Sequence, residues 1–344
     1  MIKNIQALRA AAAFLVVCAH LVELFTTLKV PPFGTAGVDL FFVISGFVMV
    51  YTTRTHPPKS GEFLKNRIAR IVPTYWLLTL LIFLIGFFAR SWLKATTADP
   101  VQLVKSLLFV PFAKSNGLIQ PILNLGWSLN YEMFFYALFS IGLLSKNYIR
   151  GLSGVVAALI LLVLVGLAFD PNGVIPKFYT QPLVMEFAFG MGVALLPRNV
   201  SLRTPSQRWF LVTISALSFA MIVLSTVFWP GTYRLFTAGI PSALLVMSVV
   251  MLERSDWRIR SPAVMAVGEA SYVLYLTHPF VVLPIERLSL KLHPTGFLSL
   301  ALIAVSVSLA IAVAVLLHSY IERPLLKWAR YRLLWRDIRS VAPG

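Results

Sequence analysis

Apolar runs long enough to cross a membrane recur from one end of the sequence to the other. A bilayer core needs roughly 17–25 mostly apolar residues in a helix. Short polar segments rich in basic residues separate the runs. The pattern predicts an all-α fold, a polytopic membrane helix bundle of about ten transmembrane helices. The predicted spans are Ile5–Leu28, Ala36–Thr53, Ile71–Ala89, Gly126–Leu144, Gly151–Phe169, Gln181–Leu196, Trp209–Trp229, Leu235–Leu252, Ala263–Leu283 and Phe297–Ile321.

The basic residues between these spans predict how the bundle is oriented. An even number of spans puts both termini on the same side of the membrane. That side would hold 21 of the 30 lysines and arginines, and cytoplasmic loops carry such an excess in membrane proteins. We therefore expect both termini to be cytoplasmic.

The composition is typical of a membrane protein and does not favour a nucleic-acid partner. Hydrophobic residues make up 58% of the chain and charged residues 12%, against about 25% charged in soluble domains. The net charge of +17 would suit nucleic acid, but the basic residues lie at helix ends and not in one patch. We predict one transmembrane domain over residues 1–325 and a basic cytoplasmic tail over residues 326–344, which would contact anionic membrane lipids.

The first predicted span carries two costly polar residues, Arg9 and His20. Eleven residues separate them, which is close to three helical turns, so both side chains leave one face of the helix. Ionisable residues inside a membrane mark functional sites by default. A lone histidine in a span can also serve only as an interhelical hydrogen-bonding group.

Counting along the spans sorts the polar residues by depth into two groups. One group lies in the outer-to-middle layer and comes from four helices: His20, Asp39, Glu132 and His278. The other lies on the cytoplasmic side: Arg9, Arg67 and Arg70. The first group predicts proton chemistry, with His20 as general base and Asp39 or Glu132 orienting it. The second predicts an inner mouth that binds an anion.

Structural interpretations remain open for these residues. Glu132 could pair with an arginine, Asp39 could cap its helix, and Arg67 and Arg70 could be topology anchors. The sequence predicts no metal site, because no two histidines lie three or four residues apart and there is no Cys/His cluster. A proton-coupled transporter or flippase for a sugar-containing substrate, or a structural or sensor protein, would also explain polar residues in the membrane.

Six ordered strings resemble the acyltransferase-3 family of integral membrane O-acyltransferases. They are LR with a histidine eleven residues after the arginine, GVDLFFVISGF at 37–47, RIARIVPTYW at 67–76, WSLNYEMFFY at 127–136, GEASY at 268–272 and YIERP at 320–324. The strings span the whole chain. Without a fused second domain, the chain most resembles the stand-alone exopolysaccharide acetyltransferases, the ExoZ-like members.

The resemblance implies a multi-pass enzyme of the bacterial cytoplasmic (inner) membrane that uses acetyl-CoA as acyl donor. The acceptor would be a hydroxyl of an extracytoplasmic polysaccharide or lipid-linked glycan. Arg9, Arg67 and Arg70 would bind the acyl-CoA, and His20, Glu132 and Asp39 would be catalytic. The predicted acceptor-binding or oxyanion-stabilising residues are His278, Ser271 and Tyr272.

Overall fold

The computed structural model describes residues 2–88, 99–197, 204–229, 231 and 233–339, the last six of these by their backbone. Its regular structure is helical, and the described residues contain no strand. The helices are α1 Lys3–Ala19, α2 Val22–Thr27, α3 Gly37–Thr53, α4 Ser60–Phe88, α5 Pro100–Leu107, α6 Gly126–Gly142, α7 Tyr148–Phe169, α8 Val174–Tyr179, α9 Met185–Leu195, α10 Pro205–Phe228, α11 Ile240–Arg254, α12 Pro262–Leu292, α13 Phe297–Leu317 and α14 Arg323–Arg339.

Every apolar run that predicted a span is helical, so the all-α prediction is confirmed. Six of the described helices are long and apolar enough to cross a membrane. They are Ser60–Phe88, Tyr148–Phe169, Pro205–Phe228, Leu235–Arg254, Pro262–Leu292 and Phe297–Leu333. The other runs form shorter or interrupted helices. The count of ten spans and the cytoplasmic termini therefore stay predictions.

The chain divides into two compact units. The first, called here the histidine unit, comprises Met1–Tyr51 and Glu186–His318. The second, the arginine unit, comprises Thr52–Met185 and Ser319–Gly344, of which residues 89–98 and 340–344 lie outside the described ranges. The predicted boundary between a transmembrane domain and a tail at residue 325 stays a prediction.

The histidine unit is built around α1, which packs on α12, while α12 also packs on α13. Small residues let α3 and α9 come close together. A Cβ atom at Gly46 would collide with the carbonyl group of Phe187, and one at Gly190 would collide with that of Val43. Close backbone approach through small residues is typical of helix contacts in membranes. It places the polar residues of α3 beside those of α9.

The first predicted span is broken at its histidine. α1 ends at Ala19 and α2 begins at Val22, so His20 lies at the break. The N-cap residues of α1 and α2 make no capping hydrogen bond with their own side chains. Glu253 of α11 instead accepts the backbone N–H groups of Lys3 and Asn4 (2.9 and 2.6 Å).

Glu286 of α12 caps the N-terminus of α2 in the same way. Its carboxylate accepts the backbone N–H groups of Glu23 and Leu24 at 3.1–3.3 Å. A carboxylate at a helix N-terminus satisfies otherwise unpaired donors and interacts favourably with the helix dipole. Glu286 is itself buried, so these hydrogen bonds hold α2 in place directly after His20.

We expect Glu286→Ala to lower the free energy of unfolding by about 1–3 kcal/mol, because the N–H groups of Glu23 and Leu24 lose a charged acceptor. Glu286→Gln, which keeps one acceptor oxygen, should cost less. Steric trapping in nanodiscs or detergent measures the free energy of unfolding of both variants. Glu62→Ala is the matched control, since Glu62 is an exposed glutamate in the first turn of α4. An equal effect of Glu62→Ala and Glu286→Ala would contradict the capping role.

The arginine unit is organised by α4, which contacts α5, α6 and α14. The sequence predicted a span that begins at Ile71. The structure instead shows one helix, Ser60–Phe88, which begins eleven residues earlier and has Pro73 in its interior. A proline costs one intrahelical hydrogen bond but does not end a helix whose apolar side is packed on its neighbours. Arg67 and Arg70 consequently project from the same continuous helix as the apolar span.

The loop between α5 and α6 folds around a buried lysine. The Lys114 side chain donates to Asn124 Oδ1, and its backbone exchanges hydrogen bonds with Gly117 and Leu118 at 2.9 Å. The side chain is buried, and this burial lowers the pKa of the Lys114 ammonium group to about 8. A lysine in the unfolded chain titrates at about 10.4.

The protein should become more stable between pH 8 and pH 10. In that range the unfolded chain binds a proton at Lys114 that the folded chain releases, so raising the pH favours the folded state by about 2 kcal/mol. Thermal unfolding of wild type and Lys114→Met across this range tests the expectation. Lys114→Met should not show this increase in stability with pH. Lys105→Met, at an exposed lysine on α5, should still show it. A Lys114→Met curve parallel to wild type would assign the pH dependence to other groups.

Candidate functional site

Two predicted site histidines lie against each other in the histidine unit. The ring centroids of His20 and His278 are 4.7 Å apart, with the rings in an edge-to-face arrangement. His20 is half-buried at the break of the first helix, whereas His278 is completely buried in α12. The sequence placed both residues in one layer, and the structure brings them into contact.

Backbone carbonyl groups fix the tautomer of both rings. His20 Nδ1 lies 2.9 Å from the carbonyl oxygen of Val16, and His278 Nδ1 lies 3.1 Å from that of Leu274. A carbonyl oxygen only accepts, so each Nδ1 carries the proton and each Nε2 carries the lone pair. Within the described residues, His278 Nε2 is buried and has no hydrogen-bond partner. The pair therefore presents two basic nitrogens inside the unit.

The other predicted acceptor-site residues lie on the same helix as His278. Ser271 and Tyr272 are about two turns before it in α12. Ser271 is completely buried, and its hydroxyl group has no hydrogen-bond partner among the described residues. Tyr272 is half-buried. Their acceptor-binding or oxyanion-stabilising roles stay predictions.

Asp39 has a different partner from the one that the sequence suggested. Arg234 donates to it through two parallel hydrogen bonds, Nε to Oδ1 at 2.8 Å and Nη2 to Oδ2 at 2.7 Å. Asp39 is completely buried, and its pairing with Arg234 supplies the compensation that a buried carboxylate needs. His20 Nδ1, which an orienting carboxylate would contact, is already bonded to Val16.

A second carboxyl group lies beside this pair. Glu186 of α9 is completely buried and interacts electrostatically with both Asp39 and Arg234. Its two carboxyl oxygens accept no hydrogen bond from an N–H donor in the parts of the chain described. Gly239 leaves room for it, because a Cβ atom there would lie 3.1 Å from Glu186 Oε1. Asp39 and Glu186, which are completely buried, and Arg234, which is half-buried, together form the group called here the buried charged cluster.

Arg9 lies near the middle of α1 and is half-buried. Its Nη1 donates to Gln6 Oε1 at 3.2 Å on the same helix face. The eleven-residue spacing to His20 is preserved within α1 and its C-cap, so the two residues remain about 16 Å apart along the axis.

Arg67 is surrounded by aromatic rings in the arginine unit. Its guanidinium carbon lies 5.3 Å from the centroid of Phe63 and 5.9 Å from that of Tyr136. Tyr136 donates its hydroxyl hydrogen bond to Glu132. Arg67 also lies within electrostatic range of Glu132, Arg70 and Arg330. Its Nε atom is buried with no hydrogen-bond partner among the described residues.

The depth count had put Glu132 with His20 and Arg67 on the other side. The structure links Glu132 to Arg67 through Tyr136, one turn further along α6. Counting residues locates Cα atoms only, whereas an arginine side chain reaches several ångströms from its own helix. A pairing of Glu132 with His20 would join the two units and stays a prediction.

Sequence reasoning missed Arg234 and passed over Glu186 and Glu286. Arg234 was counted only as one of nine outer basic residues, although a lone arginine directly before an apolar run was a usable signal. Glu186 stood alone in the run MEFAFGMG, which also marks a buried carboxyl group. Glu286 gave no local signal, because it acts on a helix more than 260 residues away.

The chain is similar to one family model and to several known proteins. The acyltransferase-3 family model, described as "Acyltransferase domain", matches residues 2–318. "Exopolysaccharide production protein ExoZ" of Rhizobium meliloti (strain 1021) is 33% identical over 308 residues, covering 87% of this chain and 92% of that protein. "Acyltransferase MdmB" of Streptomyces mycarofaciens is 26% identical, and the match covers 87% of this chain and 83% of that protein.

A third relative is longer than this chain. "Putative peptidoglycan O-acetyltransferase YrhL" of Bacillus subtilis (strain 168) is 26% identical and covers 83% of this chain but 50% of that protein. No solved structure matches. The matched family model covers the helices that carry both histidines, the buried charged cluster and Arg67. The chain belongs to the acyltransferase-3 family and is a membrane O-acyltransferase.

Proposed function

We propose that this enzyme transfers an acetyl or other short acyl group from cytoplasmic acyl-CoA to a hydroxyl group of an extracytoplasmic polysaccharide or lipid-linked glycan. It would do so in the bacterial cytoplasmic membrane, with ten spans and both termini in the cytoplasm. The observation that carries the proposal is the His20–His278 pair, with both basic nitrogens inside an apolar unit. The similarity to a protein named for exopolysaccharide production supports the glycan acceptor.

His20 would act as the general base through Nε2. It removes the proton of the sugar hydroxyl group while the oxygen bonds to the thioester carbonyl carbon. The carbon–sulfur bond then breaks, and the leaving CoA thiolate takes the proton back from His20. Transfer through a covalent acyl-enzyme intermediate is the other route that the family resemblance leaves open. The hydrogen bond to Val16 keeps Nε2 unprotonated at the start of either route.

His278 would assist from the neighbouring position. Two imidazolium charges with centroids 4.7 Å apart repel each other strongly, so the pair holds one added proton at most. One ring can then accept a proton while the other stays neutral and accepts a hydrogen bond from the acceptor sugar. Ser271 and Tyr272 would supply further contacts from the same helix.

Arg67 and Arg70 would bind the phosphate groups of CoA. Guanidinium groups bind phosphate bidentately and keep their charge. The two arginines lie three residues apart on α4, and Arg330 of α14 is within electrostatic range of Arg67. Three cations in one place repel each other, and a polyanion would relieve that repulsion. Arg9 would add a further cationic contact to the donor.

Acetyl-CoA binding to the purified protein in nanodiscs tests the donor assignment. We expect Arg67→Ala to raise the Kd by about 10- to 100-fold, because it removes a charged, bidentate phosphate contact. Arg67→Lys should raise it by about tenfold, since lysine keeps the charge and loses the planar fork. Isothermal titration calorimetry gives these constants directly.

Arg208→Ala is the control for this titration, because Arg208 is an exposed arginine at the start of α10. Its Kd should stay within about twofold of wild type. A wild-type protein that binds no acyl-CoA would overturn the donor assignment and favour transport of a sugar-containing substrate.

A further inference from the structure

A cleft of about 80 Å³ lies next to the buried charged cluster of the histidine unit. Polar and aromatic side chains from three segments line it: Thr35 before α3, Thr226 and Trp229 at the end of α10, and Arg234 and Thr237 before α11. None of these residues was expected to contact substrate. In the topology proposed above, all three segments lie at the outer ends of their helices.

We propose that this cleft binds an uncharged pyranose unit of the acceptor glycan. The inference rests on the proposed glycan acyltransferase function and adds a subsite to it. A volume of that size holds roughly six water molecules, which corresponds to part of a sugar ring with the remainder exposed. Trp229 is 47% exposed, so its indole face is available to pack on the apolar face of such a ring.

The hydroxyl groups of the cleft suit sugar hydroxyls. Thr226 Oγ1 donates to the carbonyl oxygen of Val223 (2.8 Å) and accepts the backbone N–H group of Gly34 (3.2 Å). Thr237 Oγ1 lies 3.4 Å from the carbonyl oxygen of Tyr233 and also donates. Each hydroxyl keeps acceptor capacity, because an oxygen with one bound hydrogen has two lone pairs. A sugar O–H group can donate to these oxygens.

The charge of the cleft favours an uncharged sugar. Arg234 is the cation of the cleft wall, and its charge is balanced by the bidentate contact to Asp39. Glu186 also interacts electrostatically with this pair. A uronate or phosphate substituent would therefore find the cation of the cleft wall already paired with a carboxylate. Neutral hydroxyl groups need no such cation.

The location of the cleft is compatible with a role next to the histidine pair. The cleft begins beside Gly34 and Gly37, where added Cβ atoms would collide with the backbone of α1 at Leu15 and Ala12. Leu15 is five residues before His20, which is about 7.5 Å along the helix. A glycan chain held at the cleft would therefore have a sugar unit within reach of His20.

The test uses the full chain in nanodiscs and oligosaccharides from cells that carry the gene. Their surface glycan is deacetylated with alkali, fragmented and separated by anion exchange into uncharged and acidic fractions. We expect the uncharged fraction to bind more tightly. Trp229→Ala should raise its Kd at least about tenfold, and Thr226→Val about three- to fivefold. Trp209→Ala, at an exposed tryptophan on the opposite end of α10, should stay within about twofold.

Acetyl-CoA binding on the same preparations separates the two proposals. All three variants should keep the wild-type acetyl-CoA Kd, which also shows that they are folded. A wild type that binds acetyl-CoA and none of the oligosaccharides overturns the cleft assignment alone. Tighter binding of the acidic fraction, or wild-type affinity in both Trp229→Ala and Thr226→Val, also overturns it. A wild type that binds neither acetyl-CoA nor oligosaccharide overturns the proposed function itself.

Discussion

His20→Ala should lower acyl transfer to the glycan by about 10³-fold, the size of effect that loss of a general base produces. The variant removes the basic Nε2 atom that the hydrogen bond from Nδ1 to Val16 prepares. It leaves the capping of α2 by Glu286 in place, so the helix break itself should persist. His20→Gln should be nearly as inactive, because an amide occupies a similar volume and does not take up a proton.

The measurement is mass spectrometry of glycan acetylation in cells, with the abundance of each variant matched in the membrane. His278→Ala should lower transfer less, by about 10–100-fold, since its ring assists and does not remove the proton in the proposed mechanism. His293→Ala is the control, because His293 is an exposed histidine at the end of α12. Undiminished acetylation in His20→Ala would remove this residue from the mechanism.

The helices were predictable from the sequence because long apolar runs have few alternatives in a membrane. All ten runs are helical, and the bounds of α3, α6 and α7 differ from the predicted spans by a few residues. The break at His20 was not predictable. Segment 5–28 contains neither glycine nor proline, and the group that stabilises the second half is the carboxylate of Glu286 on α12.

The candidate site was likewise only partly predictable from the sequence. Periodicity and depth predicted that His20 and His278 share one layer, and the structure places their ring centroids 4.7 Å apart. The partner of Asp39 could not be read from depth alone. The basic residues that depth placed near it were His20 and His278, whereas the bidentate contact with Arg234 is known only from the three-dimensional structure.

Arg234→Ala should be among the most destabilising single substitutions in this chain. It leaves the completely buried Asp39 without its cation, beside the buried carboxyl group of Glu186. Removing one partner of a fully buried ion pair costs about 3–5 kcal/mol, because the remaining charge stays uncompensated. The Arg234 side chain is 36% exposed, so solvent screening lowers the expected cost to about 2–3 kcal/mol. The free energy of unfolding measured by steric trapping should fall by that amount. Arg234→Lys should recover only part of it, since lysine lacks the two parallel N–H donors.

A second substitution identifies the cause of this loss. Adding Asp39→Asn to Arg234→Ala removes the uncompensated charge, so we expect the double variant to be more stable than Arg234→Ala alone. Arg258→Ala provides the comparison, because Arg258 pairs with Asp256 where both side chains are exposed, and such pairs contribute about 0–1 kcal/mol. If Arg234→Ala cost no more than Arg258→Ala, the pair with Asp39 would not hold α3 in place. If the double variant were no more stable than Arg234→Ala, lost packing would be the cause and the charge argument would fail.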